Sequence, residues 1–281
     1  GPWKRKTAFM TMHGYILAVF WRQSMAVIEV IGIGIVIYAA TLARYFLFAG
    51  GAYGLFWVWK KHRFQHRRIQ QRAPDAGRIR SEIHYSLLTG LIIALTVMMI
   101  LYATLNGWTR IYVNLSDYGA AYFFFSIALQ LVLHDAYFYW THRLMHLKGL
   151  FKLAHRVHHF SISPSPWAAY SFHPLEAIVQ VAILPVFAFT IPLHYAALFI
   201  FITYNLGNNV LGHLGYELFP KGFINHVIFK WHTTSTHHNM HHEKFNCNYS
   251  LYFRWWDLLM GTTHLDYAKR FREITKKQSV G

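Results

Sequence analysis

Cysteine and charged residues are both scarce in this chain. Cys247 is the single cysteine among 281 residues, so an intrachain disulfide is impossible and a cluster held by several thiolates is almost excluded. Any metal ion would therefore be held mainly by nitrogen and oxygen atoms. Charged residues make up 14% of the sequence and apolar residues 54%, which is too apolar for an ordinary soluble domain of this length. The composition predicts an integral membrane protein.

The few charges are unevenly divided between the two signs. There are 27 Lys and Arg against 11 Asp and Glu, which gives a formal net charge of +16. Such an excess is also typical of proteins that bind nucleic acid, but that function needs an exposed basic face on a soluble fold. Here the basic residues flank apolar stretches, as they do at the ends of membrane spans. We therefore expect no nucleic-acid partner.

Long apolar stretches mark the membrane segments, since a bilayer core takes roughly 20 residues of helix. The predicted segments are 25–48, 87–105, 118–133 and a helical hairpin over 175–212. Pro185 and Pro192 interrupt the last stretch, and proline kinks or ends a helix, so we expect the hairpin to turn near residues 192–194. The third pattern continues to residue 146. It predicts one helix that leaves the membrane and carries the first histidines with it.

These segments predict an all-α fold, an integral membrane helical bundle of about four transmembrane helices. A cytosolic helical cap, residues 134–174 and 213–267, would carry the histidines, and residues 1–281 would form a single membrane domain. Residues 60–80 contain eight Lys or Arg and one Asp, whereas residues 106–117 contain a single basic residue, Arg110. By the positive-inside rule the first loop and the histidine-rich regions then face the cytoplasm. A bacterial inner membrane is favoured over the endoplasmic reticulum, because Lys276-Lys277 is not at the spacing of a retrieval signal.

Twelve of the 20 histidines fall in two short windows, residues 134–159 and 226–242. Within them, His142 and His146 are four residues apart and share one face of a helix. Residues 155–159 and 238–242 each hold a His-x-x-His-His triplet, whose adjacent rings diverge by about 100° on a helix. One pair and two triplets exceed the four ligands of a structural zinc ion, which predicts a dinuclear site. Imidazole suits Zn, Cu, Fe and Ni alike, so these residues alone do not name the metal.

Two residues outside these motifs also have a predicted role. His213 follows the hairpin, where a polar side chain at membrane depth is costly and usually functional, so we predict a ligand there. Asp135 lies seven positions before His142 and shares its helix face. We expect it to accept a hydrogen bond from a ligand's second ring nitrogen and fix its tautomer. An ion pair with Arg143 is the alternative.

Two other classes of membrane protein also use histidine. A haem-binding electron-transfer protein would carry single histidines deep in facing spans. A metal-binding transporter would place polar ligands near the bilayer midplane. The histidines here bunch at one predicted membrane face, which favours an enzyme's metal centre over both alternatives.

Three histidine motifs also resemble those of a known family. The string HDAYFYWTHRLMH, residues 134–146, resembles the first histidine box of the fatty acid hydroxylase and sterol desaturase superfamily. HRVHH, residues 155–159, resembles its second box. THHNMHH, residues 236–242, together with NCNYSLY and WDLLMGT further on, resembles its third box and C-terminal signature. The resemblance covers roughly residues 117–267 and includes order and spacing.

The resemblance implies an integral-membrane, non-haem di-iron oxygenase that holds two iron ions and uses O2 and two electrons. Members hydroxylate or desaturate lipids such as fatty acyl chains and sterols, and we favour hydroxylation here over desaturation. The implied iron ligands are the eight box histidines and two further ones: His142, His146, His155, His158, His159, His238, His241, His242, His213 and His237. Further candidates are His134, His173 and Asn209. Asn209 would hold a water where some members supply a second histidine, and His173 fits a structural anchor equally well.

The resemblance also implies a separate electron-donor protein, either cytochrome b5-like, ferredoxin-like or a reductase, since no redox domain follows the third box. Residues 267–281 are basic, with Lys269, Arg270, Arg272, Lys276 and Lys277. We predict that an acidic redox partner docks near this segment. Attraction to anionic lipid headgroups is the alternative.

Overall fold

Three long apolar helical stretches dominate the structure, a computed structural model that describes residues 12–276 and the side chains of residues 27–276. They are Val27–Trp59, Ala76–Leu105 and Gly119–Met145, and each is long and apolar enough to cross a membrane. Apolar side chains such as Ile28, Val36 and Leu95 are more than half exposed on their outer faces. Exposed apolar surface on this scale is expected where lipid covers the protein. The predicted all-α membrane bundle is confirmed.

Shorter helices and two two-residue strands complete the described part of the chain, and all helices and strands are numbered together. The α-helices are α1 (Met12–Tyr45), α2 (Gly51–Tyr53), α3 (Lys61–Phe64), α4 (Ala76–Leu105), α5 (Gly119–Met145), α6 (Lys148–Leu150), α7 (Pro174–Val181), α8 (Ile183–Thr190), α9 (Tyr195–Gly212), α10 (Ser235–Lys244), α11 (Trp255–Leu259) and α12 (Tyr267–Lys276). The strands are β1 (Ile111–Tyr112) and β2 (Leu193–His194). Of the predicted single domain, residues 1–11 and 277–281, including Lys277, lie outside the described residues.

The first helical stretch is longer than the predicted segment 25–48. Two π-helical turns, Phe46–Gly50 and Gly54–Trp59, extend it beyond α1. Along this extension the Tyr45 hydroxyl donates to the Trp167 carbonyl oxygen at 2.7 Å, and Trp57 Nε1 donates to that of Leu214 at 2.9 Å. The extension therefore packs against the cap and does not end at the membrane surface.

α5 is the single helix that the sequence predicts for the third span and the first histidines. It has 27 residues, a length of roughly 40 Å at 1.5 Å per residue. The bilayer core is only about 30 Å thick, so the end that carries His142 extends beyond it. The span thus fixes the position of the first histidines relative to the membrane.

The predicted hairpin is also present, although its arms are short. Its first arm breaks at Ala182, three residues before Pro185, and its turn lies between Thr190 and Tyr195. In the turn, β2 pairs with β1 in parallel, with Leu193 opposite Ile111. The loop after α4 and the hairpin turn therefore meet at the end of the bundle remote from His142. Within the described residues three helical stretches qualify as spans, against about four predicted, because α7 and α8 are separate and α9 carries several asparagines.

Two of the apolar clusters in the described residues connect the bundle and the C-terminal helix to the histidine-bearing segments. The larger one joins Tyr45, Tyr170, Phe187, Phe201 and Leu206 among other residues. The smaller one packs α12 onto α10 through Ile224, Met240, Tyr267 and Phe271. The histidines of α10 consequently lie between the bundle and the C-terminal helix.

Candidate metal centre

Four parts of the chain bring histidines together at one end of the bundle. The end of α5 supplies two, and the helical turns Phe151–His155 and His158–Phe160 supply three. His213 caps the C-terminus of α9, where its backbone N–H donates to the Asn209 carbonyl oxygen at 3.1 Å. α10 supplies the rest, and it starts where the Thr234 hydroxyl accepts from the backbone N–H of His237 at 3.2 Å.

One group contains five histidines whose ligand nitrogens lie within 4.8 Å of one another: His142, His146, His155, His159 and His241. Nε2 of His142 is 3.1 Å from Nε2 of His155, and Nε2 of His159 is 3.0 Å from Nε2 of His241. Four of the five side chains are buried, and His146 is half-buried.

A second group contains four histidines, all buried: His158, His213, His238 and His242. Nε2 of His213 lies at its centre, 3.0 Å from Nε2 of His238 and 3.2 Å from Nε2 of His242. The neighbours His158 and His159 fall in different groups, and so do His241 and His242. Adjacent rings on a helical turn diverge, and here that divergence separates one cluster into two.

Backbone carbonyls fix which ring nitrogen carries the proton. The Nδ1 atom of His142 faces the Tyr249 carbonyl oxygen at 2.8 Å, that of His241 faces Cys247 at 2.7 Å, and that of His213 faces Asn209 at 2.7 Å. A carbonyl oxygen can only accept, so each Nδ1 donates. In these neutral rings Nε2 is then unprotonated and points into its group.

These lone pairs face each other without a proton between them. Nε2 of His213 lies 3.3 Å from Nε2 of His158, whose Nδ1 donates to the Ser171 carbonyl oxygen. Two unprotonated nitrogens at this distance repel each other, and a cation between them removes the repulsion. Neutral imidazoles are good ligands for first-row transition metals. The residues present therefore fit two metal ions, one in each group.

Burial keeps these rings neutral. It lowers the pKa of His213 to about 4, although the hydrogen bond to the Asn209 carbonyl oxygen acts in the opposite direction. Burial, followed by the charge of the neighbouring rings, also holds the pKa of His238 and His242 well below the usual histidine range. At neutral pH protons therefore compete little for the inward nitrogens.

Glu176 contacts the cluster, although no role was predicted for it from the sequence. It lies in the first turn of α7 and is fully buried, with Oε1 2.7 Å from Nδ1 of His155. A carboxylate in this position orients a ligand ring and raises its basicity. The sequence contained one signal for this residue. Glu176 directly precedes the uncharged stretch 177–216, where a buried carboxylate is costly and therefore usually functional.

His237, which was predicted as a ligand from its place in the third box, lies outside both groups. Its Nε2 is 3.4 Å from Oδ2 of Asp257, and its ring packs on Tyr267. It precedes His238 on α10, so its ring turns towards the C-terminal segment. Asp257 in turn accepts from the backbone N–H groups of Tyr249 and Ser250 at 2.9 and 3.0 Å. Burial alone would raise the pKa of Asp257, but the hydrogen bond and charge of His237 lower it overall.

Asp135 does not contact a ring nitrogen, nor does it pair with Arg143. Its Oδ1 accepts from the backbone N–H groups of Tyr252 and Phe253 at 2.8 and 3.2 Å. His134 is buried beside it but outside both groups, and its Nδ1 lies 2.9 Å from the Tyr252 hydroxyl. Both residues thus attach α5 to the segment after the third box.

The remaining candidates also have defined positions. His173 caps the N-terminus of α7, where its Nδ1 accepts from the backbone N–H of Leu175 at 3.3 Å. It therefore acts as an anchor in this structure. Asn209 is buried next to the four-histidine group and contacts His213 through its backbone carbonyl oxygen.

The five-histidine group opens to the outside through His146. A cavity of about 340 Å³ lies over this ring and is lined by His146, Lys148, Phe151, Lys152, Phe245, Asn246 and Tyr249. Two lysines and two phenylalanines thus surround the most exposed histidine of the cluster. The surface there is basic with an apolar centre.

Comparisons with known proteins agree with this geometry. Residues 127–262 match the family described as Fatty acid hydroxylase. The chain is 29% identical over 247 residues to a Delta(7)-sterol 5(6)-desaturase of Gibberella zeae, which covers 86% of this chain and 69% of that protein. It is 30% identical over 262 residues to a Delta(7)-sterol 5(6)-desaturase of Aspergillus fumigatus, a match that covers 86% of this chain and 78% of that protein. It is 37% identical over 161 residues to a methylsterol monooxygenase of the same fungus, a match that covers 54% of this chain and 53% of that protein. No solved structure matches the chain.

The membrane bundle, the histidine cluster and these relatives together define a membrane oxidoreductase that acts on lipids. The chain belongs to the fatty acid hydroxylase and sterol desaturase superfamily. The family resemblance of the three histidine boxes is thereby confirmed. The relatives named here are fungal, so they give no support to the expected bacterial inner membrane.

Proposed function

We propose that this chain is a di-iron oxygenase that uses O2 and two electrons to oxidise an unactivated C–H position of a sterol or similar membrane lipid. The observation that carries the proposal is the pair of histidine groups, whose Nε2 atoms converge on two positions. We propose iron because the family resemblance implies a di-iron centre that oxidises lipids. When bound, iron would activate O2.

The chain's own residues provide the setting for that chemistry. Carbonyl oxygens and Glu176 hold five of the nine rings in one tautomer, so much of the metal site is organised before substrate arrives. Eight of the nine histidines are buried, which keeps water away from a reactive oxidant. We infer that the nine clustered histidines are the ligands and that His237 positions the third box through Asp257.

The substrate class follows from the names of the relatives. Two of them are sterol desaturases and one is a methylsterol monooxygenase. Both reactions begin by removing hydrogen from carbon, so one site can serve either. We favour hydroxylation, but the desaturases match more of the chain, and desaturation is therefore the alternative reaction.

The electrons would come from a separate protein on the cytoplasmic side. The basic loop, residues 60–80, supports the cytoplasmic side, because basic loops lie mostly on that side of a membrane. This loop lies at the same end of the bundle as the histidines, where Arg67 NH1 donates to the Phe219 carbonyl oxygen at 3.0 Å. Support for the entry point comes from His146, the half-buried member of the cluster, and from Lys148 and Lys152 around it. An acidic cytochrome b5-like or ferredoxin-like protein fits this basic surface.

Metal analysis of the purified chain tests the proposal. We expect about two irons per chain by elemental analysis, no Soret band, and O2 consumption that depends on added sterol. A haem absorbance band would instead identify a cytochrome. Metal uptake into vesicles without O2 consumption would identify a transporter, and either result would overturn the proposal.

A further inference from the structure

A narrow cavity of about 60 Å³ lies inside the bundle beside the four-histidine group. Most of its wall is apolar, as at Ile93, Leu184 and Phe201. Phe172 and Asn209 also line it. The ring of Phe172 is 5.1 Å from that of His158, and Asn209 holds His213. The cavity therefore ends next to the proposed metal position.

Three polar atoms on the wall of this cavity have no hydrogen-bond partner among the described residues. They are Nε of Arg44, Oγ1 of Thr89 and Nε2 of Gln180, and all three are buried. Buried polar groups in native proteins are nearly always paired, because leaving one unpaired is costly. The side chains of Arg44 and Gln180 also lie near Tyr170 and Glu176. Three unpaired atoms in one small cavity nevertheless indicate a bound group that pairs with them.

Thr89 differs from a neighbouring threonine on the same helix. The Thr96 hydroxyl donates to the Ile92 carbonyl oxygen at 2.9 Å, the usual arrangement inside a helix. Thr89 is 1% exposed and its hydroxyl makes no such bond. The Thr89 hydroxyl is therefore free to bond a ligand.

Arg44 connects this cavity to a larger one on the lipid-facing side. The outer groove has a volume of about 540 Å³ and is lined by apolar residues such as Leu47, Val97 and Phe199. Arg44, Ile93 and Ile202 line both spaces. No carboxylate forms an ion pair with Arg44 in the part of the chain that the structure describes. The guanidinium lies near Tyr170, but its buried Nε has no partner. Beside an apolar groove, this Nε favours a ligand oxygen as its partner.

We propose that Arg44, Thr89 and Gln180 bind the oxygen-bearing end of the lipid substrate, a hydroxyl or a carboxylate. This inference rests on the proposed function, because it identifies the ligand of the same site. The inner cavity has room for only a few atoms, such as a polar end. The groove lies within the range of about 300–1,000 Å³ usual for ligand pockets and takes the apolar body.

Equilibrium binding tests the site without any need for turnover. The full chain in nanodiscs is titrated with tritiated cholesterol in competition with unlabelled cholesterol, cholestane, palmitate or hexadecane. We expect cholesterol or palmitate to compete at least about tenfold better than the hydrocarbon of the same skeleton, since each hydrogen bond to a charged group contributes about that factor. Preference for cholesterol assigns a hydroxyl, and preference for palmitate assigns a carboxylate.

Substitutions locate the effect. Thr89→Val preserves shape and removes the hydroxyl, and Arg44→Met removes the charge. Each should reduce the preference for the oxygenated lipid several-fold while the affinity for its hydrocarbon stays the same. Thr96→Val is the matched control on α4 and should change neither affinity. Because Thr89→Val is nearly isosteric, it remains informative if Arg44→Met fails to fold.

Two results would overturn this assignment. One is equal competition within both pairs in the wild-type chain, cholesterol with cholestane and palmitate with hexadecane. The other is unchanged preference in both variants. Failure of the proposed function is a different result. If the oxygen preference and its loss are observed but no lipid is oxidised, the binding site stands and the oxygenase proposal fails. If lipid is oxidised but neither variant alters binding, the binding-site proposal is wrong and the oxygenase proposal stands.

Discussion

Glu176 and His155 face each other within the cluster, with Oε1 2.7 Å from Nδ1 and both side chains buried. The contact joins the first turn of α7 to the second histidine box. It fixes the His155 ring so that Nε2 points to Nε2 of His142 at 3.1 Å. A residue outside all three boxes thus determines the orientation of a predicted ligand.

Glu176→Gln is expected to weaken metal binding by about 10- to 100-fold, because loss of the carboxylate frees the ring and lowers its basicity. Retained metal is measured by elemental analysis after dialysis against graded chelator. Glu243→Gln serves as the control, since Glu243 pairs with Arg270 away from the cluster. Equal metal retention in the two variants would show that Glu176 does not orient a ligand.

His242 and His237 should give opposite results when replaced by alanine. His242→Ala removes one nitrogen of the four-histidine group and should lower the metal content by about one ion per chain. His237→Ala should leave the metal content unchanged but reduce the free energy of unfolding by about 1–3 kcal/mol, because buried Asp257 loses one of its partners. Elemental analysis and chemical unfolding measure the two effects. Loss of metal from the His237→Ala variant would show instead that His237 is a ligand.

Charge reversal should locate the surface for the electron donor. Lys148→Glu combined with Lys152→Glu is expected to raise the KM for an acidic donor such as cytochrome b5 several-fold, because attraction to the basic surface is lost. Turnover with a small chemical reductant should be unchanged. Lys269→Glu in α12 is the control. If Lys269→Glu has the larger effect, the donor docks at the C-terminal segment instead.

Acid should destabilise the metal-free protein over a defined range. The folded-state pKa of His213 is lowered from 6.5 to about 4, chiefly by burial. In the unfolded chain the ring gains a proton below about pH 6.5, whereas the folded ring resists protonation. The contribution of such a ring to the free energy of unfolding should therefore be constant above pH 6.5 and fall towards pH 4, by up to about 1.4 kcal/mol per pH unit. Burial lowers the pKa of His238 and His242 as well, so these contributions add. Thermal unfolding of chelator-treated protein measures this, and a flat profile between pH 7 and pH 4 would contradict it.

Much of the fold was predictable because its signals are local. Apolar stretches with few or no charges marked the long helices, and Pro192 marked the hairpin turn between α8 and α9. The His-x-x-His-His spacing predicted rings that diverge, as His158 and His159 do. These patterns depend only on helix geometry and on the thickness of a bilayer.

The partners of the histidines were less accessible because they depend on tertiary contacts. Asp135 bonds the backbone of Tyr252, which is 117 residues away in sequence. The position of His237 beside His238 suggested a ligand, but one residue on a helix turns its ring by about 100° towards Asp257. Sequence spacing identified the cluster. Only the fold distinguishes the histidines whose nitrogens point into the two groups from those, such as His237, that contact other residues.

Mass spectrometry of lipids under 18O2 tests the central proposal most directly. Cells or nanodiscs with the wild-type chain are compared with a His242→Ala control, with and without a sterol added as substrate. The proposal predicts a new sterol that either contains one 18O atom or has lost two hydrogens, formed only by the wild-type chain and only with O2. An unchanged lipid profile in iron-loaded, reduced wild-type protein would contradict it.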